Sequence, residues 1–300
     1  MTTETTHMPL STRVVFRATD LVARGLIGLA LALPYAVRVR FMGWAMASVV
    51  GPVAGYLRRA RAHVDFALPH LPDAEKDRIA RASLSNAGRT LIENYSTRAL
   101  LARQAHAEID GPGFDAMAQA AAASKPVILV TGHFGNYEAV RAALVARGFA
   151  VGGLYRAMKN PYFNAHYERT MQAFGGPVFP QGRRGTAGFV RHLKGGGQLV
   201  LLFDQHAQGQ PTLQFLGHAA QTAISAAELA LRYDALLIPF YGIRAKDGLS
   251  FGCVMEAPIP HSTAETMTQA MNDSLGARIR AHPEQWFWVP RRWRSDADMA

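Results

Sequence analysis

The sequence predicts an α/β fold, a single domain with a mostly parallel β-sheet flanked by helices. The main observation is that short apolar runs alternate with helical patterns between residues 127 and 255, as expected when helices connect parallel strands. The length of 300 residues suits one such domain plus a membrane-proximal segment. A hydrophobic content of 49% is sufficient for a packed core.

Two apolar stretches near the N-terminus predict a membrane-associating helical segment over residues 19–62, after a disordered stretch over residues 1–18. The apolar stretches are Gly25–Val37 and Phe41–Leu57, and both are shorter than the ~20 residues of an ideal spanning helix. Arginines between residues 58 and 61 mark the side expected to face the cytoplasm. One tilted span or a pair of surface-lying helices fits this pattern. A buried helix pair and a cleaved signal peptide are the alternatives.

The remaining residues, 63–300, are predicted to form the α/β domain. An amphipathic pattern predicts a first helix over Pro72–Tyr95, and an alanine-rich run predicts a second over Phe114–Ala123. Apolar runs bounded by turn residues predict five strands: Val127–Val130, Val151–Tyr155, Leu199–Phe203, Leu236–Tyr241 and Ser250–Met255. The helices predicted between or beside them cover residues 137–146, 161–174, 186–194 and 222–233.

A histidine stands directly after the first of these strands. The segment Thr131-Gly-His-Phe-Gly-Asn-Tyr-Glu138 places His133 on a glycine-rich turn and Glu138 in the first turn of a helix, for which Asn136 is a favourable N-cap. On one continuous helix His133 and Glu138 would point roughly 140° apart, but across a strand–turn–helix corner they can meet. We therefore predict that His133 is a general base and that Glu138 orients it. The alternative is a structural histidine and a glutamate that serves only the helix dipole.

Further polar candidates follow the second and third of these strands. Arg156 comes directly after one strand, where a guanidinium can bind a phosphate or a carboxylate. Asp204 and Gln205 follow the other, where Asp204 can orient Arg156, line the site or cap a turn. Because ligands gather at the carboxyl ends of parallel strands, these residues are expected to converge with His133 on one edge of the sheet. Arg183 lies in a basic turn that can hold a phosphate or face solvent.

The charge of the chain indicates an anionic partner. The formal net charge is +10, with 32 Lys and Arg against 22 Asp and Glu. Nucleic acid is not expected, because no zinc-finger, helix-turn-helix or aromatic-basic RNA-binding signature is present. No metal site is expected either, since the 11 histidines form no His-Glu-x-x-His motif and no Cys-x-x-Cys pair occurs. The absence of a Gly-x-Ser-x-Gly elbow argues against a serine hydrolase.

The single cysteine, Cys253, excludes an internal disulfide and fits a reducing compartment. We expect it to be a small buried residue of a strand. The C-terminal segment combines three tryptophans with three arginines, namely Trp286, Trp288, Trp293, Arg291, Arg292 and Arg294. Such a segment can lie at a bilayer interface or simply pack a terminal strand, and both interpretations stay open.

Four blocks of the sequence resemble the bacterial lipid A biosynthesis acyltransferases, the lauroyl/myristoyl branch of the lysophospholipid acyltransferase superfamily. The signature is the His-x4-Glu pattern within Gly132–Glu138. Three more blocks follow in the order of the family, namely Tyr155–Pro161, Phe203–Gln205 and His282–Trp293. The chain departs from the usual pattern at Ala157, His206 and Pro290.

The resemblance implies a glycerolipid acyltransferase-like fold and a membrane-bound O-acyltransferase. Its donor would be acyl carrier protein, its acceptor a hydroxyl of an anionic glycolipid of the lipid A type, and it would need no cofactor or metal. The enzyme would sit at the inner membrane with its active site facing the cytoplasm. Another glycolipid or lyso-lipid acceptor, such as a phosphatidylinositol mannoside, or a non-catalytic lipid-binding homologue is the alternative. The expected substrate-binding residues are Arg156, Asp204, Gln205, Arg183 and Asn136.

Overall fold

The computed structural model describes residues 8–293, so the predictions for residues 1–7 and for Arg294 lie outside it. The helices in this range are α1 (Leu10–Ala32), α2 (Tyr35–Ala45), α3 (Gly51–Val53), α4 (Tyr56–Ala67), α5 (Asp73–Tyr95), α6 (Thr97–Gln104), α7 (Gly113–Ala122), α8 (Tyr137–Ala146), α9 (Pro161–Gln172), α10 (Arg183–Lys194), α11 (Ser225–Tyr233) and α12 (Ala264–Ala281). A π-helical turn, Met46–Val50, joins α2 to α3, and a 3-10 turn, Pro283–Gln285, follows α12.

The strands are β1 (Ile109–Asp110), β2 (Val127–Thr131), β3 (Val151–Tyr155), β4 (Val178–Pro180), β5 (Gln198–Leu202), β6 (Thr212–Phe215), β7 (His218–Gln221), β8 (Leu236–Arg244) and β9 (Phe251–Met255). Seven of them form one sheet in the order β1-β9-β8-β2-β5-β3-β4, and β6 pairs with β7 in a separate hairpin. Every neighbouring pair in the large sheet is parallel except β8 with β9. The predicted mostly parallel sheet flanked by helices is therefore confirmed.

Strand β2 runs through the centre of the sheet and is buried along its whole length. Ile128 and Val130 pack on one face with α11 and α12, and Val127 and Leu129 pack on the other with α7 and α8. In the ladder between β2 and β5, Thr131 lies opposite Leu202. The residues that follow these two strands therefore leave the sheet side by side.

All five predicted strands are present, although β8 continues to Arg244. Cys253 is buried on β9, as expected. Strands β1 and β4 were not predicted, because two or three residues are too short to show a period. Helix α12 was not predicted either, although buried apolar residues recur there at every fourth position, at Met267, Met271, Leu275 and Ile279. That spacing is a helical signal that the prediction did not use.

The N-terminal part is helical from Leu10 onward, so the predicted disorder is wrong for residues 10–18. Pro34 separates α1 from α2, because proline has fixed backbone geometry and lacks the N–H that would continue a helix. Part of this region joins the core, since Val39 on α2 and Val64 on α4 are fully buried. Within residues 8–293 no helix combines the length and the apolar character required to cross a bilayer. The membrane-associating role of residues 19–62 stays a prediction.

The C-terminal tryptophans pack inside the domain. Trp286, Trp288 and Trp293 are 2%, 0% and 3% exposed, and Arg292 beside them is fully buried. The three rings therefore do not lie at a surface, but residues 286–293 form no terminal strand either, only an isolated bridge between Trp286 and Phe134.

A buried polar network joins the C-terminal segment to helix α5 and strand β8. The Arg244 guanidinium donates to both carboxylate oxygens of Glu93, at 2.6 and 2.7 Å, and to the Asn86 side-chain oxygen at 2.6 Å. Gln285 closes the network by exchanging hydrogen bonds with the Arg244 backbone, at 2.7 and 2.9 Å. Asn86 in turn donates to the carbonyl oxygen of Gly135 at 3.2 Å. The network thus supports the turn that follows β2.

Replacing Glu93 with Gln is expected to lower the free energy of unfolding by about 3–5 kcal/mol, because the buried Arg244 charge would lose its counter-ion. Urea denaturation of both proteins measures this difference. The matched control is Glu75→Gln, which breaks a surface pair with Arg78 and should cost much less. Equal losses in the two variants would contradict a dominant role for the buried pair.

Candidate active site

The turn between β2 and α8 holds His133 and approaches strand β8 very closely. The Asn136 N–H donates to the Gly242 carbonyl oxygen at 2.9 Å. Gly135 has a φ of +53°, in the left-handed region that favours glycine. A Cβ at Gly135 would collide with the Gly242 carbonyl oxygen, and a Cβ at Gly242 would collide with the Asn136 carbonyl oxygen. Both glycines are therefore required for this backbone contact, which fixes the course of the turn.

The imidazole of His133 is held by Asp204, the residue that leaves the neighbouring strand beside it. His133 Nδ1 lies 2.8 Å from Asp204 Oδ1, and the His133 backbone N–H donates to Oδ2 at 2.7 Å. The Trp286 indole N–H donates to the same Oδ2 at 2.8 Å. The Asp204 side chain is 3% exposed and that of His133 is 31% exposed. This carboxylate fixes the tautomer with the proton on Nδ1, which leaves Nε2 as the basic nitrogen.

The interaction changes the pKa values of both groups. Burial lowers the pKa of His133, but the charge and the hydrogen bond of Asp204 outweigh burial, so the pKa is raised above its ordinary 6.5. Burial raises the pKa of Asp204, but His133 and the Trp286 hydrogen bond outweigh this, so the pKa is lowered. The pair therefore favours a charged imidazolium beside an ionised carboxylate, which is what a histidine that accepts a proton requires.

The predicted pairing of His133 with Glu138 is wrong. Glu138 accepts a hydrogen bond from the Arg141 guanidinium at 3.1 Å, and both side chains are almost completely buried. Arg141 is itself fixed by the carbonyl oxygens of Val151 and Gly175, at 3.0 and 2.6 Å. The structure has no hydrogen bond or ion pair between Glu138 and His133. The corner brings the two residues to the same cavity, but the carboxylate that orients the imidazole is that of Asp204.

Asn136 caps helix α8, as predicted, because its side-chain oxygen accepts from the Glu138 N–H at 3.1 Å. Its side-chain amide donates to Glu93 at 2.9 Å, and the residue is fully buried. Both polar ends of the Asn136 side chain are therefore occupied by hydrogen bonds within the protein. These bonds indicate a structural role in place of the predicted substrate-binding role.

A cavity of about 390 Å³ opens beside His133 at the carboxyl ends of β3 and β5. Arg156 and Gln205, both exposed, line it, as do Glu138 and Arg141. Three tyrosines complete its polar wall, namely Tyr137, Tyr155 and Tyr167. Of the three residues predicted to converge on this edge of the sheet, His133 and Arg156 line the cavity, and Asp204 contacts the His133 ring beside it.

Two predicted residues have other positions. Asp204 contacts Nδ1 of the His133 ring and is not among the residues that line the cavity, so it is placed to hold the imidazole. Arg183 is exposed at the first position of α10, two residues after the cavity-lining Gln181, and does not line the cavity. The hydrogen bond from Trp286 to Asp204 was not predicted, because a contact between distant segments leaves no local pattern. Only the place of Trp286 in the C-terminal block singled this residue out.

Replacing Asp204 with Asn is expected to bring the pKa of His133 below 6.5, because burial would then act without the opposing charge. In the unchanged protein the same ring should titrate above 6.5. Nuclear magnetic resonance titration of the imidazole measures both values. Trp286→Phe, which removes only one hydrogen bond from the carboxylate, should change the His133 pKa less. An unchanged pKa in the Asp204 variant would contradict the assigned pairing.

Comparison with known proteins supports the resemblance noted in the sequence. The chain matches the model of the bacterial lipid A biosynthesis acyltransferases over residues 10–295. It is 22% identical over 245 residues to a lipid A biosynthesis acyltransferase of Haemophilus influenzae, covering 80% of this chain and 76% of that protein. It is 24% identical over 287 residues to the lipid A biosynthesis lauroyltransferase of Escherichia coli K12, covering 90% of each. Because the family model spans almost the whole chain, the protein belongs to the bacterial lipid A biosynthesis acyltransferase family.

Proposed function

We propose that this protein transfers a fatty acyl chain from acyl carrier protein to a hydroxyl group of a lipid A precursor at the inner membrane. The observation that carries the proposal is the His133 imidazole, whose Nδ1 is held by the buried Asp204 while the ring lines an open cavity. This arrangement suits the removal of a proton from a hydroxyl group. Membership of the acyltransferase family supplies the reaction class.

The geometry supports the following sequence of steps. The Nε2 atom of His133 takes the proton of the acceptor hydroxyl as its oxygen attacks the thioester carbonyl carbon. Asp204 stabilises the imidazolium that forms, because its carboxylate is already in contact with Nδ1. The tetrahedral intermediate collapses, the carbon–sulfur bond breaks, and the imidazolium returns its proton to the thiolate. The products are an ester and the free thiol of the carrier.

The charged and polar side chains around the cavity have separate tasks in this proposal. Arg156 and Gln205 bind the acceptor phosphates or stabilise the oxyanion, since both are exposed and line the cavity with His133. The Glu138–Arg141 pair forms a rigid polar wall, because it is buried and bonded to the backbone on the side of α9 and β3. Its loss would deform the cavity rather than remove the base.

The positive charge of the chain suits an acidic donor protein. Acyl carrier protein has an acidic surface, and electrostatic attraction would guide it to a chain of net charge +10. The exposed Arg183 and Arg184 begin helix α10 close to Gln181 at the cavity. We propose this turn as the docking site for the carrier.

The acceptor would be reached from a membrane surface. Helix α1 exposes Leu21, Val22, Leu26 and Leu29, each between 63% and 71%. An apolar helix surface interspersed with arginines such as Arg13, Arg17 and Arg24 is typical of attachment to an anionic bilayer. In this arrangement the active site faces the cytoplasm, where the carrier protein is available.

Replacing His133 with Ala is expected to lower kcat about 10²–10⁴-fold, because the general base is lost. Asp204→Asn should lower kcat as well, and the double variant should be no slower than His133→Ala, since the two residues act as one unit. Transfer from acyl carrier protein to purified lipid A precursor measures all three. If the loss of kcat in the double variant equalled the product of the two single losses, the residues would act independently, which would contradict the shared role.

The kcat/KM of the unchanged enzyme is expected to rise with pH through an apparent pKa above 6.5. His133 accepts a proton only when neutral, and Asp204 raises its pKa. In Asp204→Asn the rising limb should move to lower pH while the maximum rate falls. If the rising limb has the same apparent pKa in Asp204→Asn as in the unchanged enzyme, a group other than His133 controls the pH profile.

Mass spectrometry of lipids from a deletion strain tests the acceptor. Loss of one secondary acyl chain from lipid A, restored by the intact gene and not by His133→Ala, is expected. Unchanged lipid A together with a change in another glycolipid would favour the alternative acceptor. Unchanged lipids throughout would favour a lipid-binding protein without transfer activity.

A further inference from the structure

A second cavity, of about 450 Å³, lies on the far side of helix α9 from the catalytic one. Helix α9 presents Tyr167 and Met171 to the catalytic cavity and His166, Arg169 and Thr170 to this one. The remaining walls come from α2 and from the corner between α5 and α6, with Arg38, Tyr95, Ser96, Thr97, Arg98 and Ala99. We call it the α9 cavity.

The α9 cavity is lined by cations without counter-ions. Arg38, Arg98 and Arg169 all contribute to its wall, and no aspartate or glutamate does. Within residues 8–293 none of these three arginines forms an ion pair, whereas Arg141 in the catalytic cavity is paired with Glu138. Uncompensated guanidinium groups around a concave surface attract an anion, and their planar donors match phosphate oxygens.

Arg38 is already held in position for such a ligand. Its Nη1 donates to the carbonyl oxygen of Leu31 at 2.9 Å, at the end of α1, and its guanidinium lies 5.3 Å from the centre of the Tyr35 ring. Its Nε is buried and has no acceptor among residues 8–293. An orphaned buried donor of this kind is costly unless a ligand or water satisfies it.

His166 supplies a second orphaned group. Its ring is stacked on Tyr95, with centroids 5.5 Å apart, and its buried Nε2 has no hydrogen-bond partner in the part of the chain that the structure describes. Burial lowers the pKa of His166, and the charges of Arg24 and Arg169 lower it further, with Asp20 partly opposing them. The imidazole therefore lies in a positive potential and can donate a hydrogen bond from Nε2 to an anion.

We propose that the α9 cavity binds the phosphate group of an anionic lipid, separately from the catalytic site. A lipid is the preferred source because Arg38 stands in the sequence between exposed apolar residues of α1, such as Leu29, and exposed apolar residues of α2, namely Phe41 and Trp44. A bilayer that contacts this surface would bring phosphate groups to the level of the arginines. The inference goes beyond the proposed acyl transfer and does not depend on His133.

The first experiment uses inorganic phosphate and the full-length protein. Nuclear magnetic resonance of the His166 ring and calorimetry should both report binding. Arg98→Gln combined with Arg169→Gln should weaken phosphate binding at least about tenfold, because two charge-assisted contacts are lost. Both side chains are exposed and unpaired, so the variant is expected to fold. The control is Arg81→Gln with Arg191→Gln, which removes the same charge from exposed positions elsewhere and should leave binding unchanged.

The second experiment separates a lipid phosphate from a free one. Phosphatidylcholine vesicles with and without phosphatidic acid are compared by co-sedimentation. Preference for phosphatidic acid that is lost in Arg98→Gln/Arg169→Gln but kept in the control variant and in His133→Ala supports the proposal. Equal losses in the charge-matched variants would overturn it, because general electrostatics would then suffice. Binding of inorganic phosphate without any lipid preference would overturn the lipid assignment, and no perturbation of His166 by phosphate would overturn the site.

Discussion

The buried pair of Arg244 and Glu93 is the interaction on which the site depends. Glu93 accepts hydrogen bonds from the Arg244 guanidinium and from the Asn136 side chain, so one carboxylate joins α5, β8 and the start of α8. Gln285 adds the C-terminal segment by bonding to the Arg244 backbone. A buried ion pair contributes little net stability compared with apolar packing, but it is strongly destabilising when half of it is removed. Its consequence here is that four distant segments have one mutual arrangement.

The pairing of His133 with Asp204 is built on that arrangement. The backbone of the turn is fixed from behind by the network, and the sheet register brings the residues after β2 and β5 side by side. Trp286, which follows Gln285 in the same C-terminal segment, holds the Asp204 carboxylate through the hydrogen bond from its indole N–H. The His133 imidazole is thus already oriented in the protein alone, which is the preorganisation that the proposed reaction requires.

Much of this was predictable from local patterns, and the rest depended on the register of the sheet. Apolar runs located the five main strands, and the turn chemistry around Asn136 located the start of α8. The strand order was not predictable, because β5 enters between β2 and β3 although it follows both in the chain. That insertion is what places Asp204, rather than Glu138, against His133. The spacing between histidine and glutamate identified the right corner but the wrong partner, since a corner allows a contact without requiring it.

The close backbone approach of the turn to β8 has a consequence for how this sequence can vary. At Gly135 and Gly242 the turn and strand β8 are in direct backbone contact. A methyl group at either position would collide with a carbonyl oxygen of the other segment. No second substitution elsewhere can relieve this, because backbone atoms rather than side chains fill the space. Neither glycine can therefore be replaced while this backbone contact is kept. Any combinatorial library of this region should keep both positions invariant and diversify the cavity wall around them.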